Sequence, residues 1–171
     1  PPPVELVCPA GNLPSLRAAV ANGADAVYLG LADATNARHF PGLNFTARNL
    51  RAAVDEAHAR GVRVLMAVNT YPQQAALGQW RAAVDAGAGA GIDALIACDP
   101  AVLGWAQREH PQLTRHLSVQ ASATNLDALH FWVAQFGVRR AVLPRVLSLA
   151  QVEAIAAQAP CEIEVFGFGS L

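Results

Sequence analysis

What the sequence has little of sets the first limits. Its only cysteines are Cys8, Cys98 and Cys161, scattered and odd in number. They argue against a disulfide framework and fit a reducing cytoplasm. Charge of either sign is not in excess: 12 Lys+Arg stand against 13 Asp+Glu. No basic cluster interleaved with aromatics occurs, so nothing in the composition points to nucleic acid or an anionic membrane. Apolar runs are broken by charge, Gly or Pro before the roughly 18 residues that a membrane span needs. "PPPVELV" lacks the basic start and long apolar region of a secretory signal. There is no initiating Met, and we expect the chain to be a portion of something longer.

Signature motifs are missing too. Where a Gly-x-Gly-x-x-Gly turn would follow the first strand of a dinucleotide-binding fold, the sequence reads "CPAGNLP". Neither His-Glu-x-x-His nor Cys-x-x-Cys is present, which removes the commonest zinc patterns.

What is present is a repeat of one unit. "NGADAVYLG", "RGVRVLMAVN", "AGIDALIACD" and "FGVRRAVLP" each place a Gly just before a short apolar run that ends at a polar or special residue. Gly in that place reads as a helix C-cap, where a left-handed backbone carries no Cβ penalty. The Val/Ile/Leu-rich runs read as fully buried strands. Between them lie amphipathic helices, one over "TARNLRAAVDEAHARG" with Leu50, Val54, Ala57 and His58 along one side; others start at Asn12, Gln74, Pro100, Asn125 and Ser148. "SLAQ", Ser148 to Gln151, fits a capping box.

Strands are expected near 4–8, 25–30, 62–68, 92–97, 116–120, 138–143 and 162–167. Seven strands alternating with about six helices predict an α/β fold: an incomplete TIM-barrel-like (β/α) barrel, with residues 1–171 forming one barrel portion. A complete barrel usually takes about 250 residues. Left unclosed, it would expose strand edges, and we expect marginal stability or self-association.

Chemistry in such barrels sits where strands run into helices. Sorting by that rule brings Asn36, Arg38, Asn44, Asn69, Gln120, Ser122 and Arg145 to one rim, the candidate substrate-binding set, suited to a small carboxylated molecule. Asn12, His39, Thr70, Asp99 and Ser170 fall on the same rim. Asn12, Thr124, Asn125 and Ser148 read first as helix caps. Asn69 and Gln120 are placed in the last turn of their strands. The long loop "TNARHFPGLNFT" is expected to tuck Phe40 and Phe45 into the core and turn its polar side chains to the mouth. His110 and His116 are expected on the opposite face, as surface or capping residues. No catalytic residue is assigned, and no metal ligand.

"ELVCPAGN", "NGADAVYLGL", "TNARHFPGLNFT", "SVQASATN", "VLPRVLS" and "FGFGSL" together resemble the collagenase-like peptidase family U32 over essentially the whole chain. Within it they look most like the branch that serves oxygen-independent ubiquinone biosynthesis; the first loop separates that branch from the peptidases and RNA hydroxylases. The resemblance implies a cytoplasmic heterodimer with a paralogous partner, each member carrying a [4Fe-4S] cluster. It also implies hydroxylation of a ubiquinone ring precursor without molecular oxygen, with prephenate as hydroxyl donor. In that branch the first cluster cysteine follows directly on the stretch matching "FGFGSL". The ligands are therefore expected beyond Leu171, none falls on Cys8, Cys98 or Cys161, and this stretch alone is expected to bind no cluster and to be inactive. RNA-base hydroxylation, a peptidase role and a non-catalytic scaffold for the partner remain open alternatives.

Overall fold

The computed structural model describes residues 4–169. Seven strands, β1 (Val7–Pro9), β2 (Ala26–Gly30), β3 (Arg63–Val68), β4 (Ala94–Ala97), β5 (Thr114–Leu117), β6 (Arg140–Val142) and β7 (Glu162–Glu164), form one sheet in chain order. Every neighbouring pair is parallel. Six helices cross over between them: α1 (Leu13–Ala21), α2 (Ala47–His58), α3 (Leu77–Ala90), α4 (Pro100–Glu109), α5 (Leu126–Phe136) and α6 (Leu149–Ala156). This is the expected α/β half-barrel. Among the described residues β7 and β1 are the two unpaired edges.

Local chemistry explains the element ends. Asn12, Asp99 and Asn125 accept hydrogen bonds from first-turn amides of α1, α4 and α5. The Ser148/Gln151 capping box opens α6, with its two bonds at 2.8 and 3.4 Å. Gly91 closes α3 at φ 84°, in the left-handed region where other residues would be strained. Thr124 is exposed one position before the cap and does not cap α5, because Asn125 takes that place.

Strand parity divides the apolar residues into two cores. The larger lies between sheet and helices, with Val27, Leu29, Val64, Met66, Val68, Leu95 and Leu117 meeting Leu50, Val54, Val84 and Leu103. The smaller fills the barrel interior with Ala26, Leu65, Ala67, Ala94 and Ile96, backed by Val7 and Tyr28. His58 sits outside the apolar stripe of α2 and bonds the Asp93 carboxylate at 2.7 Å.

At the N-terminal ends of the strands the interior becomes ionic. The Arg140 guanidinium, only 8% exposed, is bonded at 2.6 Å to both Glu5 and Glu162, and Glu5 also pairs with Arg63 at 2.6 Å. Because Glu5 precedes β1 and Glu162 opens β7, the cluster ties the two unpaired edges together. His116 is buried in β5 beside it, which corrects the surface assignment: its register with Ile96 and Arg140 points it inward. Burial, reinforced by Arg140, pushes its imidazole down to about 4, so it is neutral.

Candidate functional site

At the C-terminal ends of the strands the interior opens into a cavity of about 190 Å³. Its walls are Pro9 from β1, Tyr28 and Gly30 from β2, Ala67 from β3 with Asn69 just beyond its end, Ile96 from β4, Ser118, Val142 from β6, and Glu164 from β7 with Phe166 two residues past it. The loop between β2 and α2 covers it with Asn36, Arg38, Phe40, Leu43 and Asn44. Most of the lining is apolar.

The loop is held by asparagines. Gly30 leaves the space that Asn36 occupies, since a Cβ there would lie 2.5 Å from Asn36 Cγ. Asn36 Nδ2 donates to the Leu31 carbonyl and to Asn44 Oδ1, each at 3.2 Å, and its Oδ1 accepts the Arg38 amide at 3.0 Å. Asn69 Oδ1 accepts the Ala37 amide at 3.0 Å. Asn44, at φ 77°, donates through Nδ2 to the Arg38 carbonyl at 2.8 Å. Asn tolerates that left-handed conformation better than most residues. All three asparagines line the cavity, but their amides chiefly fix the loop that presents Arg38.

A second hollow adjoins the first. Arg38, Val119, Gln120, Arg145, Val146 and Phe166 line it, and Arg38, Val119 and Phe166 belong to both. The Arg145 guanidinium stacks over Phe166 at 4.3 Å from the ring centroid. Neither Arg38 nor Arg145 forms an ion pair among the described residues.

Six of the seven predicted residues therefore share one mouth in two compartments. Asn36, Asn44 and Asn69 lie in the inner one, Gln120 and Arg145 in the outer, and Arg38 in both. Ser122 lines neither; it is exposed at φ 51°, closing the 3-10 turn Val119–Ala121. Gln120 lies in that turn rather than in β5, which begins and ends earlier than expected. Phe45 is buried, but Phe40 is 59% exposed at the lip. Ser170 lies outside the described residues. Glu164, Ser118, Tyr28 and Phe166 went unnoticed in the sequence, although the alternation of "EIEVF" already puts Glu162, Glu164 and Phe166 on one side of a strand.

Among the described residues no group of three His, Cys, Asp or Glu is placed to hold a metal ion. Cys98 is buried, its thiol pushed up to about 11 mainly by burial, and donates to the Asn69 carbonyl at 3.3 Å; Cys8 and Cys161 pack against the outer core. The histidine side chains that form hydrogen bonds, His39, His58 and His110, bond the Asn36 carbonyl, Asp93 and Asp85. No helix among them is long and apolar enough to cross a membrane.

The fold and the mouth define a parallel βα half-barrel with a cavity at the C-terminal strand ends. Residues 11–171 match the family model of peptidase family U32, and the chain belongs to that family. It is 39% identical over 168 residues to tRNA hydroxylation protein P of Escherichia coli, covering 98% of this chain and 36% of the relative. It is 32% identical over 178 residues to a collagenase of Porphyromonas gingivalis, covering 98% and 42%. The chain thus spans well under half the length of these relatives. Among solved structures, the U32 peptidase Mk0906 superposes with a TM-score of 0.74 at 16% identity, covering 95% of this chain and 68% of that one. That likeness speaks for the fold alone.

Proposed function

We propose that this chain is the barrel portion of a UbiU-like protein acting in oxygen-independent hydroxylation, and that the mouth binds a small anionic hydroxyl donor such as prephenate. The observation that carries the reading is the pair of arginines, Arg38 and Arg145, without carboxylate partners among the described residues, at the lip of a mostly apolar cavity. An unpaired guanidinium beside an apolar wall favours a carboxylate attached to a hydrocarbon body. The hydroxylation relatives support the reaction class. The first-loop motif supports a ubiquinone ring precursor as acceptor and a UbiV-like paralogue as partner, in the cytoplasm. A [4Fe-4S] cluster of the full-length protein, with ligands beyond Leu171, would supply the redox chemistry; this chain's own residues bind and orient the donor.

A second reading takes an RNA base as acceptor, favoured by the 39% identity to a tRNA hydroxylation protein. One experiment separates them. Arg38→Ala and Arg145→Ala, introduced into the full-length protein in cells grown without oxygen, should abolish ubiquinone formation and leave tRNA hydroxylation unchanged. Loss of the tRNA modification with normal quinone would establish the second reading. Normal levels of both products would remove the mouth from either reaction.

A further inference from the structure

A carboxyl in the cavity wall, away from the expected rim residues, gives the cavity a direction. Glu164 sits in the cavity wall, 20% exposed, and its Oε2 is buried without a hydrogen-bond partner, 3.5 Å from Arg140 Nη1. That approach does not meet hydrogen-bond geometry, and Arg140 is already engaged at 2.6 Å by Glu5 and by Glu162. The charged groups that act on Glu164 are Arg140 on β6 and Glu5 before β1; Glu162 and Arg63 join the same network by pairing with Arg140 and Glu5, and His116 on β5 is neutral. Two guanidiniums thus face three carboxyls. With Glu5 and Glu162 ionised and paired, the cluster is balanced only when Glu164 carries its proton. Burial acts in the same sense and raises the Glu164 carboxyl above the ordinary carboxylate range, against the opposing influence of Arg140.

The two ends of the mouth therefore differ in kind. Outside are two guanidiniums without counter-charges among the described residues; inside is a carboxyl whose burial disfavours its ionised form. We propose that the cavity holds its ligand in one polarity, with an anionic group outward between Arg38 and Arg145 and an uncharged hydroxyl or carbonyl oxygen inward, accepting a hydrogen bond from Glu164. This rests on the reading of the mouth as the ligand site. The size fits a one-ring acid, since benzene occupies a cavity of roughly 150 Å³.

Three probes test it in the full-length protein by calorimetric titration at pH 6: 4-hydroxybenzoate, benzoate and methyl 4-hydroxybenzoate. The wild type should prefer 4-hydroxybenzoate to benzoate about tenfold, the worth of one buried hydrogen bond. Glu164→Gln, which retains a donor, should keep that preference, and Glu164→Leu should erase it. Arg145→Ala should weaken both acids about tenfold, as expected for loss of a charge-assisted bond, and leave the methyl ester unchanged. A preference that survives in Glu164→Leu, or an ester weakened as much as the acids in Arg145→Ala, overturns the polarity while leaving the cavity as a binding site. Failure of all three probes to bind the wild type overturns both.

Discussion

The sector from β1 to β4 and the sector from β5 to β7 repeat the same unit but are stabilised differently. In the first, β2 and β3 run five and six residues and are almost wholly buried, α2 buries Leu50, Ala53, Val54 and Ala57, and α3 buries Trp80, Ala83, Val84, Gly87 and Ala90. In the second, β6 and β7 are three residues each, α5 fully buries only Leu129, and α6 only Ile155. Phe131, Val146, Leu149 and Val165 stand exposed there. Apolar burial dominates the first sector; in the second it is thinner, and the buried Arg140 ties β7 back to Glu5 at the start of the first. The mouth straddles both, so the asparagine-held loop sits on the firm side and Arg145 and Glu164 on the ionic side.

The ion cluster comes first. Arg140→Leu removes the partner that Glu5 and Glu162 share; those carboxylates are 37% and 67% exposed, so we expect a loss of about 2–4 kcal/mol in urea unfolding, short of that for a fully buried pair. A loss below about 1 kcal/mol, the worth of a surface pair, would mean that the seam is not held by these ions.

The apolar side of the comparison is sharpened by a pair of truncations. Leu50→Ala, at a fully buried position, should lose about 2–5 kcal/mol, whereas Leu149→Ala, 74% exposed, should change stability by no more than about 0.5 kcal/mol. Equal losses would show that α6 is better packed than its surroundings indicate.

Gly30→Ala should displace Asn36, because the new Cβ meets that side chain rather than open space. We expect about 1–3 kcal/mol of destabilisation and faster amide exchange over residues 31–46. Unchanged exchange would show that the loop is fixed by contacts other than the asparagines.

The smallest effect is pH-dependent. The folded carboxyl of Glu164 is raised above its unfolded value, so the folded state binds more protons across that interval. Glu164 therefore contributes nothing at acid pH and an increasing penalty as pH rises toward its folded value. Glu164→Gln should match the wild type near pH 4 and melt higher at pH 8. A variant less stable than the wild type at pH 8 would mean that Glu164 is ionised and paired with Arg140.

Most of the fold was legible because parallel strands buried on both sides read as short Val/Ile/Leu runs, and helix ends carry local chemistry in Asn12, Asn125 and Ser148. The end of β5 was misplaced because "HLSVQ" continues the alternation while the backbone turns at Val119. His116 was misjudged, and Arg140 passed without remark, because polar residues inside a barrel leave no periodic mark; only the register between strands brings Glu5, 135 positions away, onto Arg140. The rim itself was visible, since strand ends can be counted. Its division into two compartments was not, because that depends on where Phe166 and the loop side chains point.

Hydrogen exchange of the full-length protein with and without prephenate tests the account most directly. Slowed exchange confined to residues 31–46 and the segments around Gln120 and Arg145 is the predicted result. Protection on the helical exterior or at the N-terminal strand ends, with none at the mouth, would contradict it.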